Sequence, residues 1–220
     1  MALMPAFNEA QTIRAVVEGV SPLVASVVVV DDGSTDGTAE RARESGANVI
    51  RMASNQGKGA AVRAALAHLF EGDFTHLLIL DADLQHRPSE VPRLLAAAET
   101  SGADVVIGQR QFQKAEMPAS RYYANRIGSW ALSHFIGAPV DDTQCGFRVF
   151  KVEALRPLTF VATGYDIETE MLIKTRRRGA RIVGVPVSAV YAGQPSKLRP
   201  VRDTTRTCFR AVYYRYIQQL

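Results

Sequence analysis

The chain has 220 residues, 47% of them hydrophobic and 22% charged, with two cysteines and a formal net charge of +4. This is globular composition, long enough to bury a core, and it excludes a collagenous, low-complexity or disulfide-scaffold protein. The mildly basic balance, pI about 9.2, suits a phosphate-rich partner without choosing among nucleotide, anionic lipid and nucleic acid. Cys145 and Cys208 lie far apart and form neither a disulfide framework nor a zinc pattern, so a reducing compartment is the simplest setting. The start, "MALMPAFNEA", lacks the basic region of a signal peptide. No window offers the roughly 18 apolar residues that a bilayer span needs.

Strand and helix patterns alternate. A very short first strand precedes "PAFNEA" (5–10), and a helix is expected over about 9–20. The runs "SVVVVD" (26–31), "NVIRM" (48–52), "HLLIL" (76–80) and "DVVIG" (104–108) read as buried strands. Helices are expected between them at 36–45, 58–71 and 89–101. Thr35 or Asp36 is placed to cap the first of these and Pro88 to open the last. Gly46 and Gly102 stand where glycines end helices. Repeated βα units of this kind predict an α/β fold, a mostly parallel sheet with helices on both faces.

After residue 108 the rhythm changes. A polar loop leads to a helix near 121–136, then a strand "FRVF" (147–150) and a helix over 165–178 that ends in basic residues at Gly179, where "KTRRRGAR" (174–181) reads mostly as a solvated helix end, with anionic headgroups as the alternative. The next strand, 181–191, contains Pro186 and so belongs at a sheet edge. The tail 202–220 reads as a helix. Its Phe209, Tyr213, Tyr216, Ile217 and Leu220 share one face, with Arg206, Arg210 and Arg215 beside them. Such a helix suits a membrane interface, docking on the domain or a dimer contact.

Ligands of parallel α/β sheets bind beyond the carboxyl ends of the strands. "PAFNEA", "VDDGSTDGT" (30–38) and "DADLQH" (81–86) all stand at such ends. If the chain stays extended, Asp81, Asp83 and Gln85 point to one side and offer hard oxygen atoms to Mg²⁺ or Mn²⁺. The competing reading is a solvated loop that caps the following helix. "NQGKGAA" (55–61) is not the GxxxxGK[ST] phosphate loop, so Lys58 reads as a solvated helix-start lysine, with a phosphate contact as the alternative. The four histidines are scattered without ligand spacing. Of Glu168 and Glu170, two apart on one helix, one is expected inward and one solvated.

Taken in order, "MPAFNEA", "VVVVDDGSTDGT", "NQGKGAAVRAAL", "LILDADLQHRPSEV", "VIGQR" and "DTQCGFRVF" resemble glycosyltransferase family 2, and "TGYDIETEML" and "SKLRPVRDTTR" resemble its polyprenyl-phosphate branch, of the dolichol-phosphate mannosyltransferase type. The resemblance implies a GT-A catalytic domain over 1–200 and a C-terminal amphipathic helix over 201–220. It implies a nucleotide-sugar pocket lined by Pro5, Phe7, Glu9, Val30, Asp32, Lys58, Asp81, Ala82 and Asp83, closed by Lys197 and Arg202. The same likeness gives a metal, Mg²⁺ or Mn²⁺, on Asp83 and Gln85, with Asp81, Asp83, Arg110 and Asp142 at the reaction centre. Arg110 and Arg121 would seat the acceptor phosphate, and Arg148 would bridge a carboxylate; Asp142 (or Asp141) and Arg148 read equally as a structural ion pair. Phe7 stands where these mannosyltransferases often carry Tyr.

The implied activity is inverting transfer of a sugar from a UDP- or GDP-sugar to a polyprenyl phosphate. The setting would be the cytoplasmic face of a membrane, in peripheral contact with anionic lipid and without nucleic acid. A membrane-protein partner or a homodimer fits the same reading. The alternatives are a soluble transferase with a small or polysaccharide acceptor, and a non-catalytic nucleotide-binding or scaffolding subunit.

Overall fold

The structure, a computed structural model, describes residues 1–110, 129–130, 133–138, 140–188, 210–214 and 216. Seven strands form one sheet in the order β3-β2-β1-β4-β6-β5-β7. They are β1 (Ala2–Ala6), β2 (Val27–Asp31), β3 (Asn48–Arg51), β4 (His76–Ile79), β5 (Val105–Arg110), β6 (Arg148–Lys151) and β7 (Ile182–Val187). The principal helices are α1 (Ile13–Val20), α2 (Thr38–Glu44), α3 (Lys58–Glu71), α4 (Val91–Ser101), α5 (Val152–Leu155) and α6 (Ile167–Arg177).

Where the residues are described, the expected strands and helices are present with boundaries shifted by a few residues; residues 121–128 and 131–132 of the helix expected near 121–136, 189–191 of the last strand and 202–209 of the tail lie outside the described residues. Every residue of β2 is buried, as its unbroken Val run requires. In α1, Ile13, Val16, Val17 and Val20 recur at helical spacing and are the buried face. Gly46, Gly102 and Gly179 all have positive φ, the left-handed conformation that closes a helix. Asp36, not Thr35, acts at the start of α2: its Oδ1 accepts the Thr38 N–H at 3.1 Å. Pro88 opens a 3₁₀ turn, Pro88–Glu90, that runs into α4. Pro186 lies in β7, an edge strand.

The sheet is parallel except at β6, which runs antiparallel to both β4 and β5. This reversal places the site. The parallel strands bring their carboxyl ends to one sheet edge. Reversed β6 brings its amino end, and with it the segment 142–147, to that same edge. The core is continuous along the sheet, and Leu3, Met4, Leu77, Leu78, Phe147 and Phe150 are among its fully buried side chains.

Two charge assignments change. Glu168 and Glu170 are both inward. Glu170 is fully buried, accepts the backbone N–H groups of Val161 and Ala162, and pairs with Lys174 at 2.8 Å. Lys174 is thus a core residue rather than part of the solvated helix end, and the exposed charges there are Arg176, Arg177 and Arg178. Side chains two apart can both be inward because the loop 159–164 covers the flank of α6 on the Glu170 side.

Of the C-terminal helix, residues 210–214 and 216 are described, and they dock on the domain. The Asp166 carboxylate accepts the Arg210 guanidinium and the Tyr214 hydroxyl, and Arg177 donates to the Tyr214 carbonyl at 2.9 Å. Burial acts to raise the Asp166 pKa, but its hydrogen bonds from Tyr214 and Arg210 outweigh that and hold it low. Docking uses Arg210, Ala211 and Tyr214, whereas Tyr213 and Tyr216 of the expected apolar face point outward. Phe209, Ile217 and Leu220 lie outside the described residues, as do Arg206 and Arg215.

Candidate active site

The carboxyl-end edge of the sheet holds a cavity of about 310 Å³. Its wall begins with two loops stitched together. The Asn8 N–H donates to Ser34 Oγ, the Glu9 N–H to Thr38 Oγ1 and the Ala10 N–H to Asp36 Oδ2, each at 2.9–3.0 Å. Asn8 itself has φ +54°, a conformation Asn tolerates, and its side chain accepts the Thr35 N–H. Much of "DDGSTDGT" therefore builds the wall. Asp31 is fully buried and accepts the Ser34 N–H at 3.0 Å.

Asp32 anchors the third loop. Its two carboxylate oxygens accept the N–H groups of Gln56 and Gly57 at 2.7 and 2.8 Å. That fixes the turn from which α3 starts. Gly57 has φ +95°, and a Cβ there would fall 2.4 Å from the Thr163 carbonyl oxygen, so no other residue fits without displacing that segment.

Pro5, Phe7, Glu9, Asp32, Lys58, Asp81, Ala82, Asp83, Gln85 and Arg110 all line the cavity. Val30 does not: it is fully buried within β2, because its side chain belongs to the core cluster. Asp142 is not a lining residue either. It lies behind the cavity and grips Arg110, whose Nε and Nη2 donate to its two oxygens at 2.6 and 3.0 Å. This fork-on-fork pair orients the guanidinium at the cavity. Arg121, Lys197 and Arg202 lie outside the described residues.

The chain does not stay extended after β4. It turns through 82–86, with Leu84 at φ +61°, and Asp83 Oδ1 accepts the Gln85 N–H at 3.0 Å. Strict alternation is therefore not what brings Asp81, Asp83 and Gln85 together; the turn does, and all three still face the cavity. Lys58 is not a solvated helix-start residue. Its side chain is 9% exposed, and Nζ lies 2.5 Å from both Asp81 Oδ1 and Glu168 Oε1.

The electrostatics follow from these contacts. Burial acts to lower the Lys58 pKa, but the charges of Asp81 and then Glu168 outweigh it and hold the amine protonated. Burial acts to raise Asp81, and the Lys58 charge overrides it, so Asp81 is held ionised. Among the described residues no cation pairs directly with Asp83. Burial, and then the negative Asp81, raise its pKa. A divalent cation at Asp83 would relieve that repulsion. One carboxylate and one amide oxygen, with water and substrate phosphates completing the shell, suit Mg²⁺ or Mn²⁺. No group of three or more His, Cys, Asp or Glu side chains that could hold a metal occurs among the described residues.

Several cavity residues were not legible as such in the sequence. Gln144 and Gly146 arrive through the reversal of β6, and Tyr165 and Glu168 from the start of α6. His86 also lines the cavity; it is buried, stacks on Phe147 at 5.2 Å and sits 3.7 Å from the Cys145 sulfur. Burial pushes its pKa down to about 4, so it is neutral near pH 7. Arg148 proves structural: it is buried and donates to the carbonyls of Cys145, Thr143 and Glu168.

Residues 1–159 match the family model described as Glycosyl transferase family 2. A dolichyl-phosphate hexose transferase of Haloferax volcanii is 34% identical over 203 residues, covering 90% of this chain and 86% of that protein. An undecaprenyl-phosphate mannosyltransferase of Micrococcus luteus is 31% identical over 203 residues, covering 86% and 83%. Among solved structures, glucosyl-3-phosphoglycerate synthase of Mycobacterium tuberculosis, in complex with Mn²⁺, UDP-glucose and phosphoglyceric acid, superposes with a TM-score of 0.73 at 26% identity. That alignment covers 97% of this chain and 77% of that one.

Proposed function

Because the chain belongs to glycosyl transferase family 2, with a GT-A-like sheet, we propose that it transfers a sugar, with inversion, from a UDP- or GDP-sugar to a polyprenyl phosphate. The observation that carries the reading is one cavity lined at once by Asp81, Asp83, Gln85 and Arg110. Relatives named for undecaprenyl-phosphate and dolichyl-phosphate transfer support the acceptor class. The donor class is supported by the UDP-glucose complex of the structural neighbour.

In this reading the nucleotide lies against Pro5, Phe7, Glu9 and Asp32, and the sugar against Asp81 and Ala82. The Asp32 carboxylate also accepts the Gln56 and Gly57 N–H groups and so shapes the pocket as well as facing it. Asp83 and Gln85 would hold Mg²⁺ or Mn²⁺, which supplies positive charge against the departing nucleoside diphosphate. Arg110, aimed by Asp142, seats the acceptor phosphate. A phosphate monoester is largely ionised near neutral pH, with a second pKa of about 6. It therefore attacks without a strong general base, and positioning is the main demand on the protein.

Residues 1–200 would form the catalytic domain, with 201–220 as an appended helix. Outward Tyr213 and Tyr216, and exposed Arg176 and Arg178, suit peripheral contact with anionic lipid at the cytoplasmic face. No described helix is long and apolar enough to cross a membrane. A small phosphorylated acceptor is the second reading, favoured by the phosphoglyceric acid in the structural neighbour.

The test is nucleoside-diphosphate release from a panel of UDP- and GDP-sugars with Mn²⁺ or Mg²⁺, with and without detergent-dispersed undecaprenyl phosphate. Release that requires the lipid is expected; release stimulated only by phosphoglyceric acid selects the second reading. Arg110→Lys keeps the charge but loses the fork. It should lower kcat/KM for the phosphate acceptor by up to about 10²-fold while leaving nucleoside-diphosphate affinity intact. Unchanged acceptor kinetics would remove Arg110 from the acceptor seat.

A further inference from the structure

Lys58 is the first residue of α3, where the helix dipole disfavours a cation, and its side chain is 9% exposed. Its ammonium is held there by two carboxylates from distant parts of the chain. Asp81 follows β4, and Glu168 stands on α6, beyond the residues that match the family model. The Glu168 carboxylate also lies 3.7 Å from the guanidinium of Arg148, which three backbone carbonyls pin in place. A path of charges thus runs from fixed Arg148 through Glu168 and Lys58 to Asp81. Only Asp81, with 32% of its side chain exposed, opens substantially toward solvent.

The backbone makes room for this path. A Cβ on Gly146 would fall 2.7 Å from Asp81 Oδ2, 3.0 Å from Glu168 Oε1 and 3.1 Å from Lys58 Nζ. Any side chain there would push the cluster apart. On another side, the Tyr165 ring centroid lies 6.0 Å from the Lys58 ammonium.

Resting on the donor reading above, we infer that Glu168 and Lys58 are positioning residues that fix the Asp81 carboxylate for the sugar of the nucleotide donor. Lys58 is not a phosphate ligand. Two carboxylates at 2.5 Å already satisfy its charge, and an incoming diphosphate would have to displace one of them. Glu168 holds the ammonium between its partners, so Asp81 keeps one oxygen on Lys58 and one orientation in the cavity. The pair therefore acts on the sugar end of the donor and not on its nucleotide end.

The experiment measures, by calorimetry with Mn²⁺, the affinities of UDP, GDP, UDP-glucose and GDP-mannose for the wild type, Glu168→Gln, Lys58→Met and the double variant. Melting temperatures are taken alongside. The preferred sugar nucleotide should bind each single variant about tenfold more weakly, the scale typical of a lost supporting contact. The matching nucleoside diphosphate should bind as in the wild type. The double variant should be no worse than the poorer single one, because both act through Asp81. An unchanged ratio of sugar-nucleotide to diphosphate affinity in folded variants overturns the inference. Parallel loss of diphosphate affinity also overturns it, by making Lys58 a phosphate ligand. If Lys58→Met fails to fold, Glu168→Gln, which keeps shape and an acceptor oxygen, decides by the same ratio. A wild type that binds none of the four overturns the donor reading and this inference with it.

Discussion

An Asp83→Ala protein is expected to fold normally and to lose turnover by about 10³-fold, roughly 4 kcal/mol of barrier. Asp83 sits in the turn after β4, lines the cavity and accepts a hydrogen bond only two residues along, from the Gln85 N–H. Its removal strands no buried cation among the described residues, so stability should change little. Asp81 is different, because its loss would leave Lys58 with Glu168 as its remaining partner. The proposed cation on Asp83 and Gln85 would offset a repulsion visible in the site itself: burial and then the neighbouring Asp81 raise the Asp83 pKa. The measurement is nucleoside-diphosphate release under saturating Mn²⁺, beside a thermal melt. Near-normal turnover in a folded Asp83→Ala protein would sink the metal reading.

The largest stability effect is expected from Glu170→Ala. Both members of the Glu170–Lys174 pair are fully buried, and Lys174 also donates to the Thr159 carbonyl at 2.5 Å. Removing one member leaves an uncompensated buried charge, which costs about 3–5 kcal/mol. The same change strands the N–H groups of Val161 and Ala162, which close the loop over α6. Urea unfolding should show the drop in midpoint. Glu170→Leu combined with Lys174→Met should recover part of the loss, because no charge then remains buried. Recovery should be incomplete, since the two backbone donors stay unpaired. Equal midpoints for the wild type and Glu170→Ala would show that the pair does not hold the loop.

The alternation of strands and helices was legible because it is local. Val runs make β2, the period of Ile13, Val16, Val17 and Val20 makes α1, and glycines at 46, 102 and 179 end helices in conformations other residues resist. The placement of Asp81, Asp83 and Gln85 at one crevice was equally legible, since parallel strands send their carboxyl ends to one edge, whereas Arg110 was placed there by the family resemblance. The sequence by itself therefore determined the fold class and which acids meet there.

Only the tertiary structure decided what each charge does. Lys58 reads as a surface residue until Glu168, 110 positions away, is brought against it. Asp142 reads as either a reaction-centre acid or half of a structural ion pair until it is seen gripping Arg110 from behind. Lys174 belongs to a basic run in the chain and to the core in space. The direction of β6, which brings Gln144 and Gly146 into the cavity, leaves no local trace either. The physical reason is common to all four. Strand and helix patterns are set by neighbours within a few positions, whereas the state of a charge is set by its nearest partner in space and by its distance from water. Both of those are fixed only when the sheet closes.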